Sequence, residues 1–121
     1  MEELVEEGKV KSIGLSNFNA QQVSDILKAC TIRPVCNQFE IHPMLQCARL
    51  VEFCQQNEIV VVAFAPLGAP DRTWGKPGDP SILEQPELVA LAAKKGRSVA
   101  QIILRWLVQV YKQKSFLNRK F

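Results

Sequence analysis

The sequence predicts an α/β protein built on a parallel sheet, and three observations lead there. Short apolar runs alternate with amphipathic helical segments, several of those segments open with capping residues, and the third run, "EIVVVAFAPLG", is nearly continuous in apolar side chains. Strands separated by helices form βαβ units with right-handed crossovers, so all strands point the same way.

The elements follow in order. Residues 2–7 form a helix with Glu2 and Glu3 in its first turn, Gly8 as terminator and Lys9 and Lys11 just beyond. "VKSIGLS" is a short strand. Asn19, with Gln22 three residues on, forms a capping box for a helix reaching about Cys30, whose apolar face is Val23, Ile26 and Leu27. "RPVCNQFEI" is the second strand, its onset marked by Pro34, and a helix over roughly 46–57 carries Leu50, Phe53 and Cys54 on one side. The third strand's unbroken apolar run is the pattern of burial on both faces. A loop, "GAPDRTWGKPGDPSI", has four prolines when Pro66 just before it is counted. Pro86 then opens a helix that Gly96 closes, and Ser98 with Gln101 caps another through about Val110.

Composition narrows the class. Of the 121 residues 47% are apolar and 22% charged, which is ordinary for a globular domain and unlike a disordered chain. No apolar run approaches the roughly 18 residues that span a membrane, and the acidic, amphipathic start is unlike a signal peptide, so the expected location is the cytoplasm. The four cysteines, at 30, 36, 47 and 54, form no CxxC pair, and His42 has no second histidine to complete a metal set. They read as reduced thiols. Net charge is +3 but uneven: residues 1–87 carry 12 acids against 7 bases, whereas residues 88–121 carry 8 bases and no acid. Without interleaved aromatics that basic third reads as a solvated helix face and tail; no nucleic acid or membrane partner is expected.

In a parallel sheet the ligand-bearing loops lie at the carboxyl ends of the strands. Strand one ends in Ser16-Asn17, strand two carries Asn37-Gln38 before Glu40 and His42, and strand three ends in Phe64 before Ala65-Pro66-Leu67-Gly68. Carboxamides donate and accept in a fixed fork that suits another amide, and an aromatic face stacks on a flat heterocycle. A nicotinamide ring uses both. By spacing alone the same amides also serve to satisfy loop backbone, and His42-Pro43 reads as a loop-fixing pair rather than a base.

"GLSNFN", "NQFEIHP" and "FAPLGAPDRTW", in that order and spacing, resemble the C-terminal half of an aldo-keto reductase, a (β/α)8 barrel that uses NADPH. "KACTIRPVCNQ" and "DPSILEQPELVALAAKKGRSVAQIILRW" are most similar to the aldehyde reductase (NADP-dependent alcohol dehydrogenase) branch. The resemblance covers residues 1–109 and leaves 110–121 as a divergent basic tail. It implies a partial TIM barrel of about three strands, with the barrel not closed, since eight strands and about 250 residues are needed. It implies that Ser16, Asn17 and Gln38 hold the nicotinamide carboxamide. Phe64 would stack on the ring where the family usually has tyrosine, and Leu67 and Asp71 belong to the loop over the pyrophosphate. Ala65 and Ala69 stand where serines commonly meet the phosphates, a loss of about 1 kcal/mol for each hydrogen bond not made. Trp74 reads as a packing anchor of that loop.

The family's catalytic aspartate, tyrosine, lysine and histidine arise in its N-terminal half, and Tyr111 is not the equivalent tyrosine. Lys114-Ser115 arrive early for the Ile-Pro-Lys-Ser motif that grips the adenosine 2′-phosphate. The expectation is therefore an NADPH-dependent oxidoreductase of aldehydes and ketones by lineage, truncated and inactive as an isolated chain, with association possible through open sheet edges. The alternative is a non-catalytic interaction protein that pairs with a complementary barrel half or a full-length relative.

Overall fold

The structure, a computed structural model, describes residues 1–69 and 81–112. Its elements are helix α1 (Glu2–Glu6), strand β1 (Leu15–Ser16), helix α2 (Ala20–Ala29), strand β2 (Cys36–Glu40), helix α3 (Ala48–Gln56) and strand β3 (Val60–Phe64). A 3-10 turn (Ile82–Glu84) and helices α4 (Pro86–Lys95) and α5 (Val99–Lys112) follow. The predicted class holds: three parallel strands in the order β1-β2-β3, flanked by helices, an open part of a (β/α)8 architecture.

Local chemistry sets the helix ends. Asn19 Oδ1 accepts from the Gln22 N–H at 2.9 Å while Gln22 Oε1 accepts from the Asn19 N–H at 2.9 Å, a complete capping box. Ser98 and Gln101 repeat the exchange at 3.2 and 3.0 Å for α5. Gly96 ends α4 with φ +59°, a left-handed turn that glycine adopts without a Cβ clash. The loop from α2 to β2 is tied back to α1, where one Glu2 carboxylate oxygen accepts from the Thr31 and Ile32 N–H groups at 2.7 Å each.

Side chains alternate across the sheet, and the register decides which residues share a face. Leu15 lies opposite Asn37 and Asn37 opposite Val61; Ser16 lies opposite Gln38 and Gln38 opposite Val62; Glu40 lies opposite Phe64. The face bearing Phe39, and Ile41 two residues on, meets the helices. Its core joins Val23 of α2, Val51 and Cys54 of α3, Ile82, and Ile103 and Leu107 of α5. Val23, Ile41, Cys54 and Ile103 have no exposed surface, and the valine and two isoleucines contribute about 1.5–3 kcal/mol each.

Three expectations change. The apolar run at residues 10–16 yields a strand of two residues only, although the Val35 N–H still donates to the Ile13 carbonyl at 2.8 Å beyond it. β3 is not buried on both faces: Val60 is 52% and Phe64 53% exposed. It is an edge strand of the described sheet, and the helices cover one side only. Helix α5 also runs beyond residue 110. There Tyr111 packs edge-on against Trp106 (5.6 Å, 84°), donates its hydroxyl to the Gln46 carbonyl at 2.9 Å, and accepts at its own carbonyl from Gln55 Nε2 at 3.0 Å. Among the described residues no helix is long and apolar enough to cross a membrane, and no group of His, Cys, Asp or Glu could hold a metal ion.

Candidate nicotinamide-facing site

The face of the sheet that the described helices leave open carries Ser16, Gln38, Glu40, Val62 and Phe64. Ser16 and Gln38 are direct cross-strand partners, which brings the first two sequence-predicted groups together. Asn17 follows at once, its N–H donating to the Gln38 carbonyl at 2.8 Å and its Nδ2 to Ser16 Oγ at a long 3.4 Å. Phe64 stands one strand over and one pleat further than Gln38, about 8 Å away by ordinary sheet spacings, with its ring half-exposed.

Backbone conformation marks the same rim. Asn17, the residue after β1, has φ +59°, and Ala65, the residue after β3, has φ +46°. Left-handed backbone is unfavourable for a residue bearing a Cβ, least so for asparagine, and Cys47 and Glu58 also hold positive φ elsewhere in the chain. After Ala65 the chain turns sharply, the Gly68 N–H donating to the Ala65 carbonyl at 2.9 Å. Leu67 lies within that turn and packs against the hydrophobic core. Asp71 and Trp74 lie outside the described residues, as does Lys114-Ser115.

His42 has the loop-fixing role expected of it. Its N–H donates to the Leu45 carbonyl at 3.1 Å, the Leu45 N–H returns to the His42 carbonyl at 2.8 Å, and its Nε2 meets a Glu40 carboxylate oxygen at 3.1 Å. Its Nδ1 is buried without a partner among the described residues. Asn37 is the neighbour whose importance spacing alone missed. Period-two alternation was the available signal, because it turns Asn37 away from Gln38 into the core. Its Nδ2 donates to the Phe18 carbonyl at 2.9 Å.

The residues present fit a nicotinamide. Among the described residues nothing engages the exposed Gln38 carboxamide, so it has donors and an acceptor to offer another amide, and the Phe64 ring offers a bare apolar face.

The sequence matches the Aldo/keto reductase family over residues 1–118. The chain belongs to the aldo/keto reductase family. Among curated proteins it is 49% identical over 109 residues to "Aldo-keto reductase family 1 member A1" of Xenopus tropicalis, covering 90% of this chain and 33% of that protein. The human protein of that name is 49% identical and that of Cricetulus griseus 50%, each over 109 residues, 90% of this chain and 34% of the relative. The chain thus spans about a third of the length of the aldo/keto reductases it matches.

Proposed function

We propose that this chain supplies the nicotinamide-holding rim of an NADPH-dependent carbonyl reductase of the aldehyde reductase type. The observation that carries the reading is the pairing of Ser16 with Gln38, beside a left-handed Asn17 and on one face with Phe64. In this reading Gln38 and Asn17 bind the nicotinamide carboxamide by donating and accepting, Ser16 adds a hydroxyl, and Phe64 covers one ring face and excludes water from it. The cofactor, when bound, supplies the hydride that reduces an aldehyde or ketone to an alcohol. By the resemblance Leu67, and Asp71 outside the described residues, contact the pyrophosphate, and the alanines at 65 and 69 loosen that grip. The resemblance assigns the family's proton-donating tyrosine to no residue among 1–121, so the reading for this chain concerns cofactor binding. Its unpaired cysteines suit the reducing cytoplasm.

The test is a titration of the 121-residue chain with NADPH followed by cofactor fluorescence, with NADH in parallel and circular dichroism to establish folding. Saturable binding is expected, weakened about tenfold, or about 1.4 kcal/mol, by Asn17→Ala or Gln38→Ala. A folded chain that binds no NADPH, or binds it equally well in both variants, would refute the reading.

A further inference from the structure

Asn37 is the one fully buried polar side chain of the described residues, and it stands on β2 immediately before Gln38. The two neighbours face opposite sides of the sheet, yet both act on the same turn. The Gln38 carbonyl accepts from the Asn17 N–H at 2.8 Å, and Asn37 Nδ2 donates to the Phe18 carbonyl at 2.9 Å. These bonds bracket Asn17 and its φ of +59°. Asn37 gains little else. Its Nδ2 makes only one further hydrogen bond, a long one of 4.0 Å to Cys54 Sγ, and its Oδ1 is buried with no partner among the described residues. A half-satisfied amide is a costly core residue, and what it delivers here is its hold on Phe18.

We infer that Asn37 is a positioning residue: from the core side of β2 it fixes the Phe18 peptide, and so sets the direction in which Ser16 and Asn17 present their polar groups to a ligand carboxamide. It touches no ligand itself. For its ligand the inference rests on the proposed nicotinamide reading; for its geometry it does not.

The first readout is amide hydrogen exchange on the full chain carrying Asn37→Leu, which nearly keeps the size and removes the donor, or Asn37→Ser, which shortens the side chain and avoids a buried charge. The Asn17 amide should exchange at least tenfold faster, while the Ile41 and Val60 amides, which bond to Phe64 and Val35, keep their rates. An unchanged Asn17 rate, equal acceleration throughout the sheet, or unfolding of both variants would make Asn37 an ordinary core residue and overturn the inference. The second readout is NADPH affinity for Asn17→Ala, Asn37→Ser and the double variant. If Asn37 acts through this turn, the double variant binds no more weakly than the weaker single one; additive losses overturn that. If the chain with Asn37 intact has no affinity for NADPH, the cofactor reading fails, and hydrogen exchange still decides the positioning role.

Discussion

Gly14 approaches Cys36 of the neighbouring strand so closely that a methyl group added to it would lie 2.5 Å from Cys36 Sγ and 3.3 Å from the Cys36 carbonyl oxygen. The segment leading into β1 is therefore held against β2 by an absent side chain, just upstream of the Ser16–Gln38 pair. Close packing of this kind leaves no room for an extra carbon unless the Cys36 side chain or the strands shift.

Gly14→Ala should accordingly destabilise the chain by about 1–3 kcal/mol, the usual range for overpacking. Adding Cys36→Ala removes the sulfur and leaves the carbonyl, so the double variant should recover part of the loss. Urea unfolding midpoints measure both, and an undiminished midpoint for Gly14→Ala would show that the strands stand further apart.

Ala65 and Gly96 make a second pair of opposite sign. Ala65 holds φ +46° with a Cβ, whereas Gly96 holds φ +59° with nothing within 4 Å of where a Cβ would be. Ala65→Gly should raise stability and Gly96→Ala lower it, each by about 0.5–1 kcal/mol, the left-handed penalty less the extra entropy of an unfolded glycine. Thermal unfolding that moves in the same direction for both would contradict the backbone assignment.

Features written in neighbouring residues were legible in the sequence. Asn19 with Gln22, Ser98 with Gln101, Pro86 and Gly96 each act within one helical turn, and each stands where its spacing put it. Ser16 and Gln38 were legible for another reason: parallel order brings strand ends to one rim. What depends on distant packing was not. An apolar run cannot say which faces its neighbours cover, so the exposure of Val60 and Phe64 went unforeseen. Neither can spacing reveal that Gly14 meets Cys36, because that contact needs the register between two strands.

The two capping boxes test the local half of that account. Asn19→Ala and Ser98→Ala each remove a side-chain acceptor for an otherwise unpaired helix N–H and should cost about 1 kcal/mol. Asn19→Ala has a further consequence, since the cap of α2 stands three residues after Ser16: the Asn17 amide should also exchange faster. Ser98→Ala, on a helix remote from the rim in sequence, should leave that amide alone. Exchange at Asn17 that responds equally to both would mean the rim is not anchored through α2.

Stability should also fall in alkali. Burial pushes the Cys54 thiol above its usual 9.0, outweighing the opposing hydrogen bond from Asn37, and the Tyr111 hydroxyl is raised above 10.0 by burial first and the nearby Cys47 second. An unfolded chain loses these protons at the ordinary values while the folded chain still holds them. Above pH 9 the unfolded state therefore binds fewer protons, and stability declines with pH. The contribution is whole below pH 9 and is lost as the pH climbs through the raised folded-state values. Cys54→Ala should lower stability at neutral pH yet flatten its decline above pH 9, and Tyr111→Phe should flatten the upper part of the same window. Iodoacetamide should alkylate Cys30, Cys36 and Cys47 before Cys54, which has no exposed surface. Identical alkaline slopes for wild type and Cys54→Ala, or Cys54 as the first thiol to react, would show that the core around Asn37 is open to water.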